Sequence, residues 1–183
     1  MLDGVVAGPE SRLNGPVLVD INERFRRFSS LISTNRVGKA LGGVDLRFEG
    51  IPVTLVTAGV IRDDVTHQYL VGQRGPGSGA GQGKWEFPGG KVLEGEGLEK
   101  CLARELDEEL GIRVDIGRLL GVVEVTYDTR GTFRVHFFAA TIAQGSPVAR
   151  EHADLRWVGR KDLNSLDLSV ADRDFVRDCL GQH

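Results

Sequence analysis

The stretch from Gly90 to Ile112 constrains the chain most, because a glycine-opened loop there runs into a helical pattern that stops at Gly111. Wound at roughly 100° per residue, Glu105, Glu108 and Glu109 fall within an arc of about 100°, and Leu102, Ala103, Leu106 and Leu110 form the adjoining apolar stripe. One face packs, and its neighbour presents three carboxylates. Like charges at i,i+3 and i,i+4 repel by roughly 0.2–0.5 kcal/mol per pair, so a cation among them would relieve the helix. Clustered carboxylate oxygens suit Mg²⁺ or Mn²⁺. An acidic helix face is by itself more often simply solvated, so the surrounding pattern has to carry the distinction.

Around this helix the chain reads as strands. Val53 to Ile61 is β-branched and apolar enough for a strand buried on both faces; a turn at Asp63-Asp64 and a second strand, Gln68 to Gln73, suggest a hairpin. Gly75 to Gly83 is expected to be a mobile loop without regular structure. It is not a phosphate-binding P-loop: Ser78 stands where Gly83-Lys84 would need an earlier glycine, and Trp85 replaces the required Ser or Thr. Strand patterns follow at Leu119 to Thr126, Thr132 to Ile142 and Asp154 to Val158, the first two separated by a turn at Asp128 to Gly131. A last helix is expected from Ala171 to Leu180, where Phe175, Val176, Cys179 and Leu180 recur at helical spacing. Strands around one helix with another at the end give an α/β class fold, an α/β/α sandwich.

Residues 1–50 read as an N-terminal extension before a domain spanning 51–183. Asp20 and Glu23 resemble a capping box, and Ile21, Phe25, Phe28 and Ile32 recur at helical spacing, predicting one short helix; Asn35 to Gly43 reads as a linker. Within 183 residues, 40% apolar content suffices for a sizeable core. The net charge of -3 gives no long-range attraction to nucleic acid polymers. Two cysteines without a CxxC or a His-Cys cluster indicate neither a disulfide framework nor zinc, and Cys101 reads as a small packing residue. Lacking a signal pattern or a long apolar run, the chain is expected to be cytoplasmic and not membrane-spanning.

Gly90, Glu96, Arg104-Glu105-Leu106, Glu108-Glu109 and Gly111-Ile112 stand at every defining position of the Nudix hydrolase signature, which this chain therefore resembles. Trp85-Glu86-Phe87-Pro88-Gly89-Gly90-Lys91 leading into Glu96 is similar to the MutT branch of that family. The likeness runs from about Val53 to Leu180 and implies a Nudix-type sandwich with a mixed β-sheet. It implies metal-dependent hydrolysis of a nucleoside triphosphate, 8-oxo-dGTP or a related modified nucleotide, to the monophosphate and pyrophosphate. Mg²⁺ is the implied ion, Mn²⁺ the alternative, and the partner is a small nucleotide rather than a polymer. By the same resemblance Glu105, Glu108, Glu109 and the Gly89 carbonyl would hold the metal, Arg104 would orient the glutamates and Glu96 would support the loop.

Glu108 and Glu151 are both candidates for the general base. Arg74, Phe87, Lys91 and Asp172 are the expected substrate contacts: Phe87 could stack on a purine or fill the core, and Asp172 could read the base or cap the last helix. An ionised Asp only accepts hydrogen bonds, which keeps CTP or dCTP open as the substrate beside an oxidised purine. Tyr127 keeps open dinucleoside polyphosphates, and nucleotide sugars are a further alternative. A non-catalytic ligand-sensing module would be expected to have lost signature carboxylates, and all are present here.

Overall fold

A computed structural model describes residues 53–127 and 131–180. The helix expected near residues 21–32, the linker after it and Asp128 to Arg130 of the expected turn lie outside the described residues. Six strands and two α-helices follow in the order β1 (Val53–Ile61), β2 (Tyr69–Arg74), β3 (Trp85–Glu86), α1 (Leu98–Leu110), β4 (Arg113–Tyr127), β5 (Gly131–Gln144), β6 (His152–Val158) and α2 (Val170–Asp178).

The strands form two three-stranded sheets. In one, β5 lies between β1 and β4, parallel to the first and antiparallel to the second, which makes it mixed. The other is antiparallel, ordered β3-β2-β6. Successive residues of a strand face opposite ways, and three pairs show where the core lies. Val60, Val71 and Phe137 point into a cluster with Phe175 and Val176 of α2. Their neighbours Ile61, Leu70 and Phe138 point into a second cluster with Leu102, Leu106 and Leu110 of α1. The sheets are thus covered on both sides, giving the α/β/α sandwich, and Val53–Ile61 is a strand over the expected span. The Phe137 and Phe175 rings stack with centroids 4.1 Å apart; burying one such ring contributes about 1.5–3 kcal/mol.

Several expectations need correction. β1 and β2 do not make a paired hairpin: only an Arg62–Tyr69 bridge joins them before they enter different sheets, because β1 finds its partner in β5. The glycine-rich loop contains a 3-10 turn at Gly79–Gly81. β4 begins at Arg113, six residues before the expected start at Leu119, and crosses Gly117-Arg118 through register shifts. α2 starts one residue early and ends at Asp178 rather than Leu180. On α1, Ala103 is exposed and Cys101 takes its place in the buried stripe.

Candidate active site

The site is built where a glycine strap passes between the edge of β1 and α1. Thr57 N–H donates to the Gly90 carbonyl at 2.9 Å, Gly59 N–H to Pro88 at 2.8 Å and Val92 N–H to Leu55 at 3.0 Å, so the strap is stitched to the strand edge. Only glycine fits at its centre. Gly89 adopts φ 151, and a Cβ there would meet the Thr57 carbonyl; a Cβ on Gly90 would strike the Glu105 carboxylate. From the helix side Cys101, fully buried, accepts from Thr57 Oγ1 at 3.3 Å and donates to the Lys91 carbonyl at 3.4 Å.

Arg104 gathers the first group of carboxylates. Its Nε and Nη2 form a fork on Glu96, both at 2.9 Å, while Nη1 reaches Glu105 at 2.9 Å and Glu108 at 3.1 Å. Nη2 also donates to the Lys91 carbonyl at 3.3 Å. The planar fork suits such multidentate contacts, which a lysine could not reproduce. Hydrogen bonds from Arg104 and from the Leu93 N–H hold Glu96 down at about 2. Gly97 opens the helix in extended conformation, and Gly111, in the left-handed region at φ 69, closes it.

Glu109, one turn beyond Glu105 on α1, meets the strap at Gly89, accepting from its N–H at 3.0 Å. Burial pushes its carboxyl up to about 7; His152 and the Gly89 N–H oppose the rise, and the charges of Glu86 and Glu105 add to it. Sequence patterns alone assigned no role to Glu86 or His152. Arg74 Nη1 contacts both oxygens of Glu86, at 3.2 and 2.8 Å, and His152 Nε2 lies 3.7 Å from Glu86 Oε1. The His152 side chain is 4% exposed and lies over Gly72, where a Cβ would collide with the ring. Burial disfavours its charged form, but the Glu86 contact and the charges of Glu109 and Glu86 outweigh this and raise its pKa. Arg74 Nε and His152 Nδ1 are buried without a hydrogen-bond partner among the described residues. A glycine inside a buried strand marks a close approach, so Gly72 was the available signal for His152.

The remaining expected residues are dispersed. Lys91 is exposed beside the strap, and Glu151 is exposed just before β6. Phe87 is 3% exposed and packs edge-on against Phe137 and Phe175, which corrects the idea of a ring open to stack on a base. Asp172 is 5% exposed and uses both oxygens internally: Oδ1 accepts from Phe87 N–H at 2.8 Å and Oδ2 from Ser169 Oγ. Its carboxyl is pushed up to about 7 by burial, then by the charge of Glu86. Ser169, not Asp172, is the N-cap of α2: its hydroxyl accepts from Asp172 N–H at 3.5 Å and donates to the Asp172 carboxylate, while its own N–H donates to the Trp85 carbonyl. Tyr127 packs edge-on against Phe133.

Among the described residues no three acidic, His or Cys side chains converge as a ready-made metal cluster, since Arg104 holds Glu105 and Glu108. The donor set nevertheless fits a hard divalent ion: Glu105 and Glu109 flank the bare Gly89-Gly90 backbone, which offers no side chain to obstruct an ion. Also among the described residues, no helix is long and apolar enough to cross a membrane.

Comparison with known proteins agrees with this geometry. The NUDIX domain model matches residues 53–179. An 8-oxo-dGTP diphosphatase of Haemophilus influenzae is 33% identical over 127 residues, 69% of this chain and 91% of the relative. A CTP pyrophosphohydrolase of Escherichia coli is 32% identical over 117 residues, covering 64% and 84%. The crystal structure of a MutT protein from Methanosarcina mazei superposes with a TM-score of 0.62 at 28% identity, covering 69% of this chain and 92% of that one. Nudix hydrolases generally use divalent metal ions. With the family pattern spanning most of the chain and the signature arginine and glutamates joined in one network, this protein belongs to the Nudix hydrolase family.

Proposed function

We propose that the chain hydrolyses a nucleoside triphosphate to the monophosphate and pyrophosphate, acting on 8-oxo-dGTP or a related modified nucleotide of the cytoplasmic pool. The observation that supports this most is the network in which Arg104 joins Glu96, Glu105 and Glu108, with Glu109 held apart by Gly89. Glu105, Glu108, Glu109 and the Gly89 carbonyl would hold Mg²⁺, with Mn²⁺ as a substitute. Such an ion, when bound, neutralises triphosphate charge and polarises phosphorus.

The chain's own residues supply position and proton transfer. Arg104 fixes the rotamers of three glutamates, and Glu96, anchored to Leu93 N–H, fixes Arg104. Lys91 and Arg74 present positive charge to the phosphates. Water attacks the β-phosphorus in line, its proton passes to the carboxylate of Glu151 or Glu108, and the nucleoside monophosphate leaves with the bridging oxygen. Asp172 acts on base selection through the Phe87 backbone it holds, while the Phe87 ring supports it from the core.

Measuring pyrophosphate release across canonical and oxidised nucleotides tests the proposal. A clear maximum in kcat/KM for an oxidised purine is the expected result, and no activity on any triphosphate would overturn it. The Escherichia coli relative favours a second reading, hydrolysis of CTP or dCTP, and the same panel separates the two.

A further inference from the structure

Residues 145–151, between β5 and β6, close over the C-terminal end of α1. Val148 N–H donates to the Leu110 carbonyl at 3.0 Å and Arg150 N–H to Glu109 at 3.0 Å, while Arg150 Nη1 reaches Asp107 at 2.7 Å. The last carbonyls of a helix lack intrahelical partners, and this loop supplies donors to two of them, Glu109 and Leu110, while Arg150 adds a second donor to the Asp107 carbonyl, which already accepts from Gly111 N–H. The fit is tight: a Cβ on Gly111 would strike the Arg150 guanidinium, and one on Gly145, at φ 90, would crowd the Gly111 carbonyl. Two residues after Arg150, the His152 ring is buried over Gly72 and faces Glu86. Exposed Glu151 therefore stands between two fixed neighbours, one clasped to the helix that carries Glu108 and Glu109, the other packed into the second sheet.

Resting on the reading of Glu151 as a proton acceptor, we propose that Arg150 and His152 are positioning residues that hold Glu151 in register with the carboxylate face of α1. Neither needs to touch the substrate. An exposed glutamate on an untethered loop would sample many positions, and a displacement of about 1 Å can cost on the order of 10²-fold in rate. The Arg150 backbone and side chain fix the loop at the end of α1, and the His152 ring sets where β6 begins. Glu151 lies between them with little freedom left to its backbone.

A double-mutant cycle on the full chain with Mg²⁺ tests this through pyrophosphate release. Arg150→Ala and His152→Ala are each expected to lower kcat about 10-fold or more with little change in KM, and Glu151→Gln to lower it at least as far. If Arg150 acts through Glu151, adding Arg150→Ala to the Glu151→Gln enzyme lowers kcat no further, whereas an independent structural role multiplies the losses. Arg150→Lys, which retains the backbone donor and one side-chain donor, should recover most of the rate. Hydrogen exchange supplies a readout besides activity: Arg150→Ala should speed exchange at Val148 and Arg150 while β1 and β5 stay protected. Multiplied losses, a wild-type kcat in Arg150→Ala or Glu151→Gln, or unchanged loop exchange would each overturn the proposal. A wild-type chain inactive on every triphosphate would remove the hydrolase reading beneath it, a failure visible before any variant is made.

Discussion

The two ends of the glycine strap treat their carboxyl groups in opposite ways. At the Arg104 end, hydrogen bonds from the guanidinium and the Leu93 N–H hold Glu96 at about 2, so its charge is fixed throughout the physiological range. Further along the strap, at Gly89, burial pushes Glu109 up to about 7. Asp172, which accepts from Phe87 N–H near the same end, is pushed up to about 7 by burial and by Glu86. The contrast shows two ways in which acids are accommodated around the strap: where a guanidinium reaches, the charged form is favoured, and where burial dominates, the pKa rises.

The largest expected effect comes from breaking the charged side at its ligands. Glu108→Gln keeps the shape and removes a charge, so kcat should fall on the order of 10²–10³-fold while circular dichroism stays unchanged. Near-wild-type turnover would sink the proposed site. Arg104→Met comes next: it releases three carboxylates at once and should lower activity or metal affinity about 10–100-fold, measured by kinetics and titration calorimetry.

Smaller effects sharpen the other side of the comparison. Glu109 has its folded pKa raised above the ordinary carboxylate value, so its contribution to stability is full below that value and is lost as pH rises through about 7. In metal-free protein the wild-type Tm should therefore fall between pH 5.5 and 8 relative to Glu109→Gln, by a few °C, on the order of the shift expected from a kcal/mol or two. Asp172→Asn should flatten the profile in the same direction, because asparagine can still accept from Phe87 N–H and donate to Ser169. Parallel profiles in wild type and both variants would remove the raised-pKa end from the comparison. Smallest of all, deleting residues 1–45 should leave kcat unchanged and alter only Tm; a folded truncation without activity would show that the extension completes the site.

What could be read in the sequence followed from local rules. The loop-to-helix step, the glycine stop and the grouping of Glu105, Glu108 and Glu109 all depend on spacing within a couple of dozen residues. The strand at Val53–Ile61 was equally legible, but cover on both faces holds only from Thr57 to Ile61, while Val53 and Leu55 stay exposed. Long-range pairing was not legible: nothing near β1 announces that its neighbour is β5, and local signals alone point to the adjacent strand as a hairpin partner. His152 and Arg150 escaped notice because each matters through a distant element, Gly72 with Glu86 for one and the carbonyls at the end of α1 for the other. Phe87 shows the converse, since an aromatic next to a glycine strap reads equally well as a stacking platform and as core, and only the rings of Phe137 and Phe175 decide.

The two cysteines are buried and not joined in a disulfide, one on α1 and one just past α2. Burial raises the Cys101 pKa, keeping it a thiol at neutral pH and a poor target for alkylating or oxidising reagents in the native fold. Covalent labelling can then occur only when the surrounding packing opens. Cys101 and Cys179 thus form a pair of built-in clocks, and their relative labelling rates would report which flank of the sandwich comes apart first.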